Sequence, residues 1–116
     1  GLDLGTEPGL IALGYTGWLH ATVLEGFPVA LAVLYGGERA YYDAWRAVRG
    51  QADRNGPYWP FVDRWSSEEF GGWVDMLAGL LDRVTPGGPT AEQRTAFRRV
   101  VRFEVAFWDE VWTPDR

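Results

Sequence analysis

Apolar side chains recur every three to four residues along most of the chain, which is the spacing of one face of an α-helix. The pattern predicts long helices over about residues 8–25, 28–49 and 91–111, a further long helix that ends near residue 84, and a short helix over about residues 58–65. No segment alternates in the way that a strand does. Long helices joined by short polar loops predict an antiparallel helical bundle, so the expected fold class is all-α.

Side chains that cap helices mark several of these ends. Thr6 is placed to cap the first helix. Ser66 with Glu69, and Thr90 with Gln93, have the spacing of a capping box, in which two side chains three residues apart satisfy each other's backbone N–H group. These signals predict that the third long helix begins just after Ser66 and the last one just after Thr90.

Gly36 and Gly37 fall in the middle of the second long helix. Glycine lowers helix propensity by about 1 kcal/mol, so an adjacent pair inside a helix needs a reason. The pair predicts a kink in the helix or the close approach of a ligand.

Two glutamates occupy positions where the amphipathic pattern requires apolar side chains. Glu104 is the only polar member of the inward stripe of the last helix. The other members of that stripe are Phe97, Val101, Trp108 and Val111. Glu38 interrupts the inward stripe of the second helix in the same way. The apolar members there are Leu31, Tyr35, Tyr42 and Trp45.

A carboxylate in an apolar interior is costly unless it is paired or protonated. Burial raises its pKa toward the range in which it exchanges protons near neutral pH. Two such groups on different helices, surrounded by tyrosines and tryptophans, suit acid–base chemistry on a flat polar ring. The alternative is structural, with either glutamate paired to an arginine at the edge of the bundle. Candidate partners are Arg39, Arg46 and Arg94.

The composition narrows the function classes. The length of 116 residues fits one domain over residues 1–116, and the net charge of -5 disfavours nucleic-acid binding. The aromatic fraction of 16%, including 7 tryptophans, suits either a core or the walls of a pocket for a flat ligand. The arginines of the last helix indicate a solvated face that pairs with nearby acids. They are Arg94, Arg98, Arg99 and Arg102.

Several kinds of site are excluded by residue type. The chain has no cysteine, so it holds no thiolate metal site and no cysteine nucleophile. His20 is the only histidine, so a di-iron site built on Glu-x-x-His pairs is excluded as well. No apolar run reaches the roughly 18 residues that a membrane span needs, and the first residues lack the basic region of a signal peptide. We therefore expect a cytoplasmic protein that does not act at a membrane.

Four stretches of the sequence resemble the TenA/thiaminase II family. They are YTGWL at residues 15–19, LAVLYGGERAYYDAW at 31–45, FVDRWSSEEF at 61–70 and FEVAFWD at 103–109. The last stretch is similar to the family's C-terminal E-x-x-F-W-D signature. The order and spacing of the four are more specific than any one of them, and the resemblance spans nearly the whole chain.

The resemblance implies a heme-oxygenase-like helical bundle that hydrolyses the C–N bond at an aminomethyl-pyrimidine carbon in thiamin salvage, with no cofactor and no metal. The family's usual proline–cysteine pair falls on Gly37 and Glu38, which implies the glutamate-type (TenA_E-like) subgroup. A carboxylate at this position can attack the substrate or activate water. We favour water activation, with Glu38 and Glu104 as the base and acid.

The same resemblance implies which residues form the site. The expected catalytic residues are Glu38, Glu104 and Tyr42, with Tyr42 one helical turn after Glu38. The expected substrate-binding residues are Tyr15, Tyr41, Trp65 and Phe107. Either Tyr41 or Tyr42 is expected to point inward with its hydroxyl toward Glu38.

Members of the family are roughly twice as long as this chain, so the resemblance implies that it is the C-terminal half of the usual chain. We then expect a homo-oligomer, or an N-terminal half supplied by another segment, and a small pyrimidine substrate. The alternative function is a non-catalytic helical module that binds a small heteroaromatic ligand or a protein partner. A heme or di-iron oxygenase on the same fold is disfavoured because His20 is the only imidazole.

Overall fold

The structure is a computed structural model that describes residues 7–112. It contains the helices α1 (Leu10–Thr22), α2 (Phe27–Arg49), α3 (Trp59–Trp65), α4 (Glu68–Val84) and α5 (Ala91–Trp112), with a short 3₁₀ helix at Val23–Glu25 after α1. No strand occurs among the described residues, so the predicted all-α class is confirmed. Thr6, the expected cap of the first helix, lies outside the described residues.

The capping box predicted for α5 is confirmed. The N–H of Thr90 donates to Oε1 of Gln93 at 2.8 Å, and the N–H of Gln93 donates to Oγ1 of Thr90 at 3.1 Å. The Gln93 amide also donates to the carbonyl of Pro28 at 3.1 Å and to Oγ1 of Thr85 at 3.0 Å. Gln93 is only 2% exposed, so this one side chain both caps α5 and ties it to the start of α2.

The cap of α4 is displaced by one residue from its predicted position. The N–H of Phe70 donates to Oγ of Ser67 at 3.1 Å, so Ser67 is the cap in place of Ser66. Ser66 is buried at the end of α3, where its hydroxyl accepts a hydrogen bond from Arg49 at 2.7 Å. That contact draws Ser66 away from the helix that follows it.

The central helix is α2, which contacts α3, α4 and α5. Its main buried contact is with α5, through Val29 and Val33 on α2 and Ala96 and Val100 on α5. Complete burial of a valine side chain stabilises a fold by roughly 1.5–3 kcal/mol. The crossing of α2 and α5 is therefore the core of the described fold.

The buried face of α5 differs from the predicted stripe. Its fully buried positions are Gln93, Ala96 and Val100, whereas Val111 is 50% exposed. The difference arises because α5 packs against α2 and also against α1, so two neighbours set its orientation.

Gly36 allows α2 and α5 to cross closely. A Cβ atom at this position would lie 2.5 Å from Cγ1 of Val100 and 3.1 Å from a ring carbon of Phe97. The helix runs without interruption from Phe27 to Arg49. The close approach at Gly36 is made by α5.

Apolar side chains are exposed along α1 and just after it. Leu10 is 81% exposed, Leu24 is 85% exposed and Phe27 is 61% exposed. Single exposed apolar residues are ordinary in soluble proteins, but several together mark a surface that contacts something else. Within residues 7–112, no helix combines the length and the apolarity that crossing a membrane requires.

Candidate active site

A cavity of about 580 Å³ lies where α1, α2, α3 and α5 meet. Glu38 of α2 and Glu104 of α5 both line it, so the two carboxylates that break the apolar pattern belong to one site, the Glu38–Glu104 cavity. Three aromatic side chains share the lining, and they are Tyr15, Tyr41 and Trp65. The remaining wall is uncharged and consists of Leu19, Val23, Ala30, Val33, Leu34 and Gly37.

Glu104 is held by a hydrogen bond from α1. The hydroxyl of Tyr15 donates to Oε1 of Glu104 at 2.8 Å. The ring of Tyr15 stacks on that of Phe103, with centroids 5.1 Å apart and planes inclined by 5°. The ring of Trp18 lies 5.4 Å from that of Phe103. Because Phe103 directly precedes Glu104, one turn of α5 supplies both the acceptor and the support for the donor ring.

Burial raises the pKa of both cavity carboxyl groups above the ordinary glutamate value. For Glu38 the main cause is burial, and the negative charge of Glu104 raises the pKa further. For Glu104 burial outweighs the hydrogen bond from Tyr15, which acts to lower the pKa. Burial and the contact with Glu104 raise the pKa of the Tyr15 hydroxyl well above its usual value. Burial therefore shifts all three groups toward their proton-bearing forms.

The salt bridges proposed for these glutamates do not form among the described residues. Arg39 pairs with Asp43 at 3.2 Å, and Arg46 donates to the hydroxyl of Tyr42 at 3.3 Å. Arg94 lines a different cavity. Within residues 7–112, no ion pair joins either cavity glutamate to a basic side chain. The same range contains no group of three or more possible His, Cys, Asp or Glu metal ligands.

Tyr41 belongs to an aromatic cluster that supports the cavity wall. Its ring meets Trp65 edge-on, with centroids 5.5 Å apart, and stacks against Trp108 at 6.2 Å. Trp45 also meets the Tyr41 ring edge-on at 5.9 Å, and its buried indole N–H has no hydrogen-bond partner among the described residues. Mutual packing restricts the rotamers of Tyr41 and Trp65, so this wall is formed in advance of any ligand.

Comparison with solved structures places this architecture among known folds. The chain is similar to the crystal structure of a TenA homologue from Pyrococcus furiosus, with a TM-score of 0.83 and 34% sequence identity. The chain has a TenA-like fold. The match covers 94% of this chain and 55% of that one, so the chain spans about half the length of the solved homologue. No protein-family model matches the sequence, and no curated protein matches it significantly.

The TenA-like fold brings five of the expected site residues to one cavity and leaves two outside it. Those that line the cavity are Glu38, Glu104, Tyr15, Tyr41 and Trp65. Phe107 is outside the lining and packs edge-on against Trp108, with ring centroids 5.8 Å apart. Tyr42 is also outside, because its ring packs on Phe70 of α4 at 5.8 Å.

The position of Tyr42 is explained by helix geometry. Successive residues of an α-helix are turned by about 100°, since 3.6 residues make one turn. Tyr41 and Tyr42 therefore point to either side of the direction of Glu38, and only Tyr41 reaches the cavity. The tyrosine–glutamate hydrogen bond expected at Glu38 is found instead between Tyr15 and Glu104.

Two residues support the site in addition to the seven that were expected to form it. Phe103 stacks under Tyr15, and its place beside Glu104 on α5 was the available signal. Gly37 lines the cavity, and a Cβ atom there would lie 3.7 Å from both Oε1 of Glu104 and the hydroxyl of Tyr15. The small residue leaves room for the groups that face it across the cavity.

Proposed function

We propose that the chain belongs to the TenA family and acts as a thiaminase II-type hydrolase on aminomethyl-pyrimidine breakdown products of thiamin, in thiamin salvage. The observation that carries the proposal is the pair Glu38 and Glu104, which share one aromatic-walled cavity and have no cationic partner among the described residues. The 34% identity to a TenA homologue supports the same assignment. The glutamate at position 38, where the family usually has a cysteine, supports the glutamate-type subgroup.

The proposed reaction uses the two carboxyl groups as a base and an acid that share one proton. Ionised Glu38 takes a proton from water while the water oxygen attacks the methylene carbon that bears the amine. The C–N bond breaks, its electron pair goes to the nitrogen, and protonated Glu104 supplies the proton to the departing amine. The negative charge of Glu104 raises the pKa of Glu38. This repulsion is relieved when Glu104 carries the proton, which supports Glu38 as the base and Glu104 as the acid.

A covalent route is the competing chemistry at Glu38. Its carboxylate would attack the same carbon and form an ester that water then hydrolyses. Rapid quenching during turnover, followed by mass spectrometry, separates the two routes. Water activation predicts no added mass on Glu38, and a substrate-derived adduct on this residue would refute it.

The Glu38–Glu104 cavity is open, and its outer wall includes exposed apolar side chains. Val23 is 45% exposed and Leu34 is 43% exposed, although both line the cavity. We propose that the chain corresponds to the C-terminal half of the family's usual chain. A further helical segment, from another chain or another part of the same protein, then completes the site in a cytoplasmic homo-oligomer. The match to 55% of the solved homologue supports the proposal that the chain is about half of the usual one.

Two measurements test the hydrolase proposal. Native and denaturing mass spectrometry of the purified protein shows whether a longer chain or a second polypeptide accompanies this one. Release of the amine from an aminomethyl-pyrimidine is then assayed for the parent, Glu38→Gln and Glu104→Gln. Asp43→Asn is the matched control, because this carboxylate lies on α2 but pairs with Arg39 at the surface. We expect the control to keep its activity and both cavity variants to lose about 100-fold or more.

The runner-up function is a non-catalytic module that binds a small heteroaromatic ligand or a protein partner. The exposed Leu10, Leu24 and Phe27 favour it, because large apolar side chains that face solvent are available to contact a partner. The same assay separates the two functions. Binding of an aminomethyl-pyrimidine without turnover in the complete assembly, unchanged by Glu104→Gln, would support the module and refute the hydrolase.

A further inference from the structure

A second cavity lies on the other side of α2, between α4 and α5. Its volume is about 380 Å³. Pockets for small molecules have volumes of roughly 300–1,000 Å³, with mostly apolar walls and a few placed polar groups. This cavity, the α4–α5 cavity, shares no lining residue with the Glu38–Glu104 cavity.

The inner part of the α4–α5 cavity has aromatic and apolar walls. Tyr35 and Phe97 line it with stacked rings whose centroids lie 6.0 Å apart and whose planes are inclined by 28°. Ala32 is 4% exposed and leaves space beside these rings. Gln93 also contributes to the lining, and its amide is committed to hydrogen bonds within the protein. A planar ring can therefore enter without stranding a buried polar group.

The α5 side of the cavity carries two positive charges. Arg94 and Arg98 lie one helical turn apart and both belong to the lining. The sequence led us to expect acidic partners for them, but within residues 7–112 neither forms an ion pair. Like charges at this spacing repel each other, so an anion placed between them would be stabilising. Asp82 of α4 is the one carboxylate among the described lining residues.

We propose that the α4–α5 cavity is a second small-molecule site, which takes a flat aromatic compound that bears a single carboxylate. Its ring would lie against Tyr35 and Phe97, and its carboxylate would accept hydrogen bonds from Arg94 and Arg98. Asp82 disfavours a second negative charge on the ligand. The described lining of the Glu38–Glu104 cavity contains no basic side chain, so it offers this anion no cationic partner. This site does not depend on the proposed hydrolase activity.

The test uses 2-naphthoate as the probe and 2-naphthylmethanol as a neutral analogue of similar shape, with calorimetry on the whole protein. Arginine donates stronger hydrogen bonds to a carboxylate than to a neutral hydroxyl, so we expect the acid to bind about tenfold more tightly than the alcohol. Its affinity should also fall as salt is added, because the cavity is open to solvent.

Matched variants locate the bound acid. Arg94→Gln and Arg98→Gln should each weaken 2-naphthoate binding several-fold, because the two arginines together supply the preference for the acid. Arg102→Gln removes the same charge from the same helix, but Arg102 lies outside the lining of the α4–α5 cavity. The affinity of this variant for 2-naphthoate should therefore equal that of the parent. Glu38→Gln should also leave the affinity unchanged. Circular dichroism confirms that each variant is folded.

Three outcomes would overturn the proposal. The first is no measurable binding of 2-naphthoate, and the second is equal affinity for the acid and the alcohol. The third is an effect of Arg102→Gln or Glu38→Gln as large as that of Arg98→Gln, because the acid would then bind elsewhere. Failure of the hydrolase assay would leave the binding measurements unaffected, so the two proposals are tested independently.

Discussion

Gly36→Ala tests whether the close crossing of α2 and α5 holds the two cavity carboxylates together. The added Cβ would lie 2.5 Å from Cγ1 of Val100 and 3.1 Å from the ring of Phe97. Val100 is only 1% exposed and packs in the core, so it has little space to move away. We therefore expect α5 to shift as a unit. Glu104 lies one helical turn after Val100 and would shift with it.

The effect on stability is the sum of two opposing contributions. Alanine is favoured over glycine inside a helix by about 1 kcal/mol. An added carbon in a well-packed core costs about 1–3 kcal/mol. We expect the free energy of unfolding of Gly36→Ala to fall by about 0–2 kcal/mol, the difference of these two contributions.

Gly72→Ala is the matched control, since Gly72 also lies inside a long helix but its added Cβ would meet nothing within 4 Å beyond its chain neighbours and the local helix backbone. This variant should gain up to about 1 kcal/mol from helix propensity alone. Urea unfolding followed by tryptophan fluorescence gives both values. If Gly36→Ala were stabilised as much as Gly72→Ala, α2 and α5 would not cross closely. The account of how Glu104 reaches the cavity would then fail.

Substitutions at three further positions are tested by urea unfolding. Burial raises the pKa of Glu38 in the folded state. The contribution of Glu38 to the free energy of unfolding is therefore fully present when the pH is below its unfolded-state pKa, and it is lost as the pH rises through its folded-state pKa. Glu38→Gln should therefore be more stable than the parent at pH 8 and lose that advantage in acid, and equal stability at pH 8 would contradict the burial argument. Glu110→Ala removes the carboxylate that accepts the N–H of Ile11 at 2.8 Å and should cost about 1 kcal/mol, whereas Glu110→Gln should cost less. A larger loss in Glu110→Gln would refute this capping role. Gln93→Leu removes three side-chain hydrogen bonds from a residue that is 2% exposed and should cost about 2–3 kcal/mol, and a neutral result would show that those bonds are not maintained.

The features that were predictable from the sequence depend on local chemistry. The capping box of Thr90 and Gln93 was predictable because both partners lie within one helical turn. Glu38 and Glu104 were identifiable because a carboxylate in an apolar stripe is visible without knowledge of the neighbouring helix. The pattern of each helix separately placed one carboxylate on its inward face, and both carboxylates line the same cavity.

The features that were not predictable depend on how one helix is turned against another. Ser66 and Ser67 are equally good caps in isolation, and the contact of Arg49 with Ser66 decides between them. Tyr41 and Tyr42 are adjacent residues of the same type. Packing of α2 against α4 directs Tyr42 to Phe70 and leaves Tyr41 for the cavity. The sequence of a single helix does not specify that rotation.

The openness of the Glu38–Glu104 cavity has a consequence for its acid–base chemistry. Burial is the main cause of the raised pKa of both glutamates, although both side chains are only partly buried in this chain. A helical segment that covered Val23 and Leu34 would exclude water from the cavity and raise the pKa of both carboxyl groups further. Their mutual repulsion would also be less screened, which favours the state in which the pair holds one proton. Completion of the site and activation of the pair are therefore the same physical event in the proposed hydrolase.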